Sequence, residues 1–297
     1  MQLVTWNVQW CCGLDGIVSP ERIVDTLQAM GDVDVVCLQE IASNYPQLQG
    51  QPGMQLAQLQ TLLPQWQLFF GAAVNEWTDA GHQQFGNLIA TRLPVHQVQH
   101  YPMPYPADAD VRTMPRMCTV VTVQDSQLGA VRVMTAHLEY HSARQRLAQA
   151  RFLRRTHFEA LSHLHGAPKL AEDGSPFQSK PHTPHAVLCG DFNFDASCPE
   201  YAALHSPAQV IECLEAGWSE EVVGARWNDA WQVLHAQPTD HIQPPTFRLH
   251  DKKWGPTPQA YDMVWVSDSL TRAVCSFAVD GTTQASDHQP VRVVLGG

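Results

Sequence analysis

Residues 33–40 read VDVVCLQE. Val35, Val36, Cys37 and Leu38 form a continuous apolar run, the pattern of a strand covered on both faces, and Gln39 and Glu40 follow at its carboxyl end. Working outward toward the N-terminus, residues 3–8 (LVTWNV) form a second strand-like run that carries Asn7. Between the two, Ser19-Pro20-Glu21-Arg22 supplies an N-cap, a proline at the first helical position and early acidic charge, and Ile23, Val24 and Leu27 follow at helical spacing. Strand, helix and strand in that order point to an α/β chain.

Downstream, the spacing predicts a helix over 54–63 and strands over 67–70, 87–91, 118–123 and 131–137. A long amphipathic helix over 142–164 follows, with Leu147, Phe152, Leu153, Phe158 and Leu161 on one face. Residues 166–185 are rich in Gly, Pro, Ser, His and Lys without periodicity, as expected of a flexible surface insertion. Beyond it lie a buried strand over 186–189, helices over 199–205 and 209–216, and strands over 262–266, 274–278 and 291–295. Strands and helices alternate with no composition break, repeat or heptad, so one domain over 1–297 is expected.

The composition is that of a globular protein, with 44% hydrophobic residues. A formal net charge of -11 argues against a protein that holds nucleic acid mainly by neutralising phosphates, which needs clustered Lys and Arg. It does not exclude a nuclease whose acidic residues surround bound cations. The eight cysteines form no C-x-x-C pair, and Cys37, Cys118 and Cys189 fall in apolar runs, so reduced thiols are expected. No apolar run is long enough to span a bilayer and no secretory leader is evident, so the expected setting is cytoplasmic, with no obligate protein partner. The histidines at 163, 165, 182 and 185 lack regular ligand spacing, so a polar loop is expected there and not a zinc site.

The polar residues at the ends of apolar runs share a chemistry. Asn7, Glu40, His137, Asp191 with Asn193, Asp262, and Asp287 with His288 each terminate or adjoin such a run. Strand ends on one rim of a sheet are where binding groups converge on a rigid scaffold. Carboxylate and amide oxygens suit a hard cation such as Mg²⁺, with Glu40 and Asp287 the first-choice ligands. His137 and His288 could move protons or donate to phosphate, with Asp262 setting the His288 tautomer. Asp191 and Asn193 are two apart, so on extended backbone both would face one phosphate.

Six segments, TWNVQW (5–10), LQE (38–40), TAHLEY (135–140), CGDFNFD (189–195), YDMVWVS (261–267) and SDHQPV (286–291), resemble in order the motifs of the endonuclease/exonuclease/phosphatase superfamily. The resemblance implies a four-layer α/β sandwich with two facing mixed β-sheets flanked by helices, and metal-assisted phosphoester hydrolysis with Mg²⁺, or Mn²⁺ as a substitute. It implies that Glu40 binds the metal and that Asn7 and Asp287 complete or adjoin its shell. Asp191 would orient or deprotonate the attacking water, Asn193 would contact the phosphate, and His137 would donate to a non-bridging oxygen. His288, paired with Asp262, would be general base or charged phosphate contact. The histidine at 137 is similar to the deoxyribonuclease I-like and sphingomyelinase-like branches and unlike abasic-site endonucleases, which place tyrosine there.

The expected substrate is a phosphodiester, nucleic acid being the leading class on family frequency. The alternatives are a phosphatase or sphingomyelinase-like lipid-headgroup phosphodiesterase and, from another class, a non-catalytic phosphate-binding module. Arg116 and Arg112, just before a strand, are candidates to clamp phosphate, Arg116 being the one placed in the substrate site. Arg248, Lys252 and Lys253 could meet a leaving group, and Trp254, Trp231 and Trp77 could stack on a base or lipid headgroup, although core packing is the commoner role.

Overall fold

In a computed structural model, which describes residues 1–166, 169, 171, 173–177, 180–235 and 242–296, the 33–40 run enters β2 (Val35–Ser43), parallel to β1 (Gln2–Asn7) with α1 (Pro20–Ala29) as the crossover. Ser19 caps α1 by accepting from the Arg22 amide at 3.2 Å, with Pro20 in the first turn. Along the chain follow α2 (Gln55–Leu62), β3 (Gln67–Thr78), β4 (Gly81–Thr91), β5 (Val95–Pro102), β6 (Met117–Asp125), β7 (Gly129–His137) and α3 (Ala143–His165). Then come β8 (Ala186–Asp191), α4 (Pro199–His205), α5 (Val210–Ala216), β9 (Trp227–Asp229), α6 (Ala230–Leu234), β10 (Asp262–Ser267), β11 (Val274–Val279) and β12 (Val291–Leu295).

The strands form two six-stranded mixed sheets, ordered β11-β12-β1-β2-β4-β3 and β5-β6-β7-β8-β10-β9. Their facing surfaces share a core that includes Leu3, Val35, Cys37 and Ile89 from the first sheet and Val121, Val133, Cys189 and Val264 from the second. The outer face of the first sheet packs Val4, Val36 and Leu38 against Ile23 and Leu27 of α1 and Leu59 of α2. The outer face of the second packs Val120, Met134 and Leu188 against Leu153 of α3 and Leu204 of α4. The result is the four-layer sandwich expected from the motifs. One polar tie crosses the inner core: Gln39 Nε2 lies 3.1 Å from Thr5 Oγ1 and 2.9 Å from Thr135 Oγ1, joining β1 and β2 to β7.

Four elements depart from the sequence expectation. The strand β5 (VHQVQHYP) is polar because it is a half-exposed edge strand, and β9 and α6 are too short to leave a periodic signal. β2 does not end at Glu40 but continues to Ser43 across a register shift between Leu38 and Ile41. The expected insertion over 166–185 lies partly outside the described residues; near its end, the Thr183 hydroxyl donates to the Ala130 carbonyl at 2.7 Å. All eight cysteines are unpaired among the described residues. No described helix is long and apolar enough to cross a membrane.

Two positions show how tightly the second sheet is built. Gly190 has φ +138°, and a Cβ there would lie 1.9 Å from the Ala136 carbonyl oxygen on β7. Gly190→Ala is expected to cost about 3 kcal/mol in urea unfolding, because both backbone conformation and close packing oppose the methyl group. His157 on α3 is fully buried, stacks on Trp227 at 4.2 Å, and has no hydrogen-bond partner for either ring nitrogen among the described residues. Burial, with Arg132 adding, holds its pKa well below 6.5. The unfolded chain therefore binds a proton that the folded chain refuses, and stability falls as pH drops below about 6.5. His157→Phe should remove up to about 2 kcal/mol of the stability lost between pH 8 and pH 5 in paired urea titrations, leaving the rest of the acid dependence in place.

Candidate functional site

Strand register assembles the second sheet's half of the site. His137 ends β7 directly beside Asp191 on parallel β8, and Asp191 pairs in turn with Asp262 on antiparallel β10. Directly paired residues point to the same face. Cys189 and Val264, two residues away on the same strands, lie in the inter-sheet core, so His137, Asp191 and Asp262 point between the sheets at their rim. Asn7 ends β1 on the equivalent inward face of the first sheet, beside Gln39.

Simple alternation would turn Glu40 away from this rim, since Leu38 faces outward and Gln39 inward. The backbone irregularity reverses that: Glu40 has φ +62° within the shifted segment of β2 and lines the same cleft as His137, Asp191, Asn193, Asp287 and His288. Asn193 likewise is not on extended backbone, as the two-residue spacing suggested. It follows the end of β8 at φ +54°, and its amide N–H donates to Asp191 Oδ1 at 3.0 Å. This local turn, and not strand pleating, brings the two side chains together.

The closing segment 286–288 is tied to β1. Ser286 Oγ donates to the Asn7 carbonyl at 2.7 Å, and Trp6 Nε1 donates to the His288 carbonyl at 2.9 Å. His288 Nδ1 lies 2.8 Å from Asp262 Oδ2, and its Nε2 is 3.6 Å from Asp191 Oδ2. Asn7 Nδ2 donates to Glu40 Oε1 at 3.0 Å and to Asp191 Oδ2 at 2.9 Å, while its Oδ1 accepts from the Gln9 amide. In this orientation Asn7 aligns the two carboxylates with its NH₂ group, and its oxygen is already used. Asn193 Nδ2 donates to the Leu138 carbonyl at 2.9 Å and meets His137 Nε2 at 3.1 Å. The His137 proton is thereby placed on Nδ1, which lies 3.8 Å from Glu40 Oε1.

Burial governs the charges. It pushes Asp191 and Asp287 each up to about 6, and it raises Glu40. Burial alone would lower His288, but Asp262 and Asp191 outweigh it and lift the imidazole to about 10, so it is a cation. Burial, followed by Arg116 and His288, holds His137 well below its ordinary value, so it is neutral. Four carboxylates thus face one imidazolium, an excess of buried negative charge that a divalent cation would offset. Asp191, Asp262 and His288 bring ligand atoms within 4.8 Å of one another, but His288 already hydrogen-bonds Asp262 and sets its Nε2 3.6 Å from Asp191 as an ion pair. Glu40 adds to the rise of Asp287, and both carboxylates are hard oxygen donors of the kind that suits a divalent cation.

Arg116 is also drawn in. It is buried, its Nε donates to Glu139 Oε2 at 3.1 Å, and its Nη1 has no partner among the described residues. The cleft is about 620 Å³ and has two walls, one from each sheet. Trp10, Tyr45, Leu48, Val74 and Phe85 come from the first; Arg112, Met114, Arg116, Tyr140, Phe247 and Trp254 come from the second or its loops. Phe247 stacks on His288 at 4.4 Å, and Arg248 donates to Tyr140 Oη at 3.0 Å. Trp77 and Trp231 do not line the cleft: Trp77 stacks on His82, and Trp231 packs on Phe277.

Trp10 ends the TWNVQW motif, but nothing in the sequence placed its side chain in the cleft. Gln9, Trp10 and Cys11 have φ of +46°, +42° and +56°, a left-handed turn of three consecutive non-glycine residues. Such backbone costs about 1–2 kcal/mol per residue. Gln55 of α2 holds it, accepting from the Ala42 amide and donating to the Trp10 carbonyl, while Trp10 Nε1 donates to the Gln49 carbonyl at 3.0 Å.

No curated protein matches the chain. Among solved structures, an endonuclease/exonuclease/phosphatase from Beutenbergia cavernae is 24% identical, with 100% of this chain and 72% of that one covered and a TM-score of 0.60. The mannosyl-6-phosphatase Bt3783 of Bacteroides thetaiotaomicron is 17% identical over 100% of both chains, with a TM-score of 0.61. The 3′ phosphatase NExo from Neisseria, bound to a product DNA hairpin, is 20% identical over 100% of both chains, with a TM-score of 0.53. These likenesses establish the shared fold. The family model described as Endonuclease/Exonuclease/phosphatase family matches residues 4–288, a span holding every site residue above, and the chain belongs to that family.

Proposed function

We propose that this chain is a divalent-metal-dependent phosphoesterase that acts on a phosphodiester small enough to sit within its cleft. The observation that carries the reading is the placement of Asp191 at the centre of the cluster, 2.9 Å from Asn7, 3.4 Å from His137 and 3.6 Å from His288. A carboxylate so surrounded is positioned to orient a water molecule and take its proton. His288, held by Asp262, presents Nε2 toward the reacting phosphate as a charged donor. His137, neutral and held by Asn193, stands beside them, and the unpartnered Nη1 of Arg116 offers a donor to a non-bridging oxygen. Glu40 and Asp287 would hold Mg²⁺, with Mn²⁺ as substitute, and the bound ion would supply Lewis-acid stabilisation of the phosphoryl group.

Cleft charge bears on substrate size. Among the described residues its only Lys or Arg linings are Arg112 and Arg116, Arg116 already pairs with Glu139, and Glu40, Glu76, Asp191 and Asp287 line it as well. Extended nucleic acid is gripped by clustered cations along its path; here the further cations Arg248 and Lys253 pack on the liners Tyr140 and Trp254 at one edge of the cleft. A nuclease is the second reading, supported by the family and by the DNA-bound Neisseria neighbour. Unpaired cysteines favour a reducing setting, in keeping with a cytoplasmic enzyme.

Hydrolysis of bis-p-nitrophenyl phosphate is expected to require Mg²⁺ or Mn²⁺ and to stop with EDTA. Asp191→Ala and Glu40→Gln should each lower kcat by about 100-fold or more while the fold is retained. The ratio of this rate to that on p-nitrophenyl phosphate separates diesterase from phosphatase. Absent turnover together with absent Mg²⁺ binding in calorimetry would replace the enzyme reading with a phosphate-binding module.

A further inference from the structure

The cleft is chemically divided, and the division goes beyond the phosphate chemistry. Its arginines, Arg112 and Arg116, belong to the wall from the second sheet, where Arg248 also packs against Tyr140. The first-sheet wall of Trp10, Tyr45, Leu48, Val74 and Phe85 contains no Lys or Arg. Its side chains are half-buried, open enough to be touched from the cleft and covered enough to be held in place. Tyr45 and Phe85 meet edge to face at 6.1 Å with an interplanar angle of 79°. Burial, with Glu76 beside it, pushes the Tyr45 phenol up to about 12, so this ring adds no charge.

Trp10 gives the wall its second, independent observation. It sits in the middle of the left-handed turn 9–11, and two contacts, to the Gln49 carbonyl and from the Gln55 side chain, hold Trp10 in place. Strained backbone kept in place by its surroundings concentrates at ligand clamps. A core tryptophan needs no such device, and Trp10 is not in the core: it is half-buried and lines the cleft.

We propose that Trp10, Tyr45, Leu48, Val74 and Phe85 form a subsite for an uncharged planar ring carried by the phosphoester substrate. This rests on the phosphoesterase reading, because the same cleft must seat the phosphate. The two halves then fit one molecule: the anionic group lies against Arg116, His288 and the bound cation, and the ring lies against a wall with which it can form offset or edge-to-face contacts. Highly charged or fully hydroxylated organic groups would leave this wall and their own polar atoms unsatisfied. The subsite therefore selects aryl or heteroaryl esters over polyol esters.

The test is calorimetry on the full chain with Mg²⁺, using two hydrolysis-resistant diester mimics, the monomethyl esters of benzylphosphonate and methylphosphonate. The benzyl compound should bind about 10-fold or more tighter, as expected for burial of one ring. In Phe85→Ser, Tyr45→Ser and Leu48→Ser that preference should shrink to about 3-fold or less while methyl-compound affinity stays unchanged. Thermal melts confirm that each variant is folded, and the wild-type comparison stands even if a variant is not. Equal wild-type affinities, or variants that weaken both ligands alike, would overturn the subsite and leave the phosphate site intact. Binding of neither mimic would overturn the subsite and the phosphoesterase reading together.

Discussion

The pairing of β7, β8 and β10 is the constraint on which the site depends. Parallel register sets His137 beside Asp191, and antiparallel register sets Asp191 beside Asp262. A slip of one residue in either pairing would turn a whole row to the opposite face. Both faces of this sheet are covered, by the first sheet on one side and α3 and α4 on the other, so a slip would also expose core residues. Gly190 belongs to the same constraint: β7 and β8 approach so closely at Ala136 that only a glycine fits.

On this regular frame, irregular backbone makes the final adjustments. Glu40, Asn193 and the turn 9–11 all occupy left-handed conformations without glycine, and all border the same cleft. The strain is supported by neighbours: Asn7 holds the Glu40 carboxylate, Asp191 accepts from the Asn193 amide, and Gln55 clamps Trp10. Rigid strands thus supply position, and short strained segments supply aim.

The electrostatics follow from placing these groups at a buried rim. Burying Glu40, Asp191 and Asp287 together raises the cost of ionising each, and the single imidazolium of His288 relieves only part of it. The chain's acidic balance is therefore concentrated where a cation has most to offset, while the rest of the cleft is largely apolar. The distribution of charge matters more here than the total of -11.

The layer order and most strands were legible in the sequence because double-sided burial leaves continuous apolar runs such as 33–38 and 186–189, and amphipathic spacing marks α1 and α3. Edge strand β5 and the short β9 and α6 were not, since exposed or three-residue segments have little apolar pattern to show. By itself the sequence determined which residue types stand at the carboxyl ends of buried strands, because those positions are set by local alternation and by the motifs that hold them. Only the tertiary structure decided that Glu40 turns inward, that Asn193 reaches His137, that Arg116 is buried against Glu139, and that Trp10 joins Tyr45 and Phe85 in one wall. Each of these depends on a bulge, a left-handed turn or a contact between sheets distant in the chain, and none of those leaves a periodic trace in the sequence.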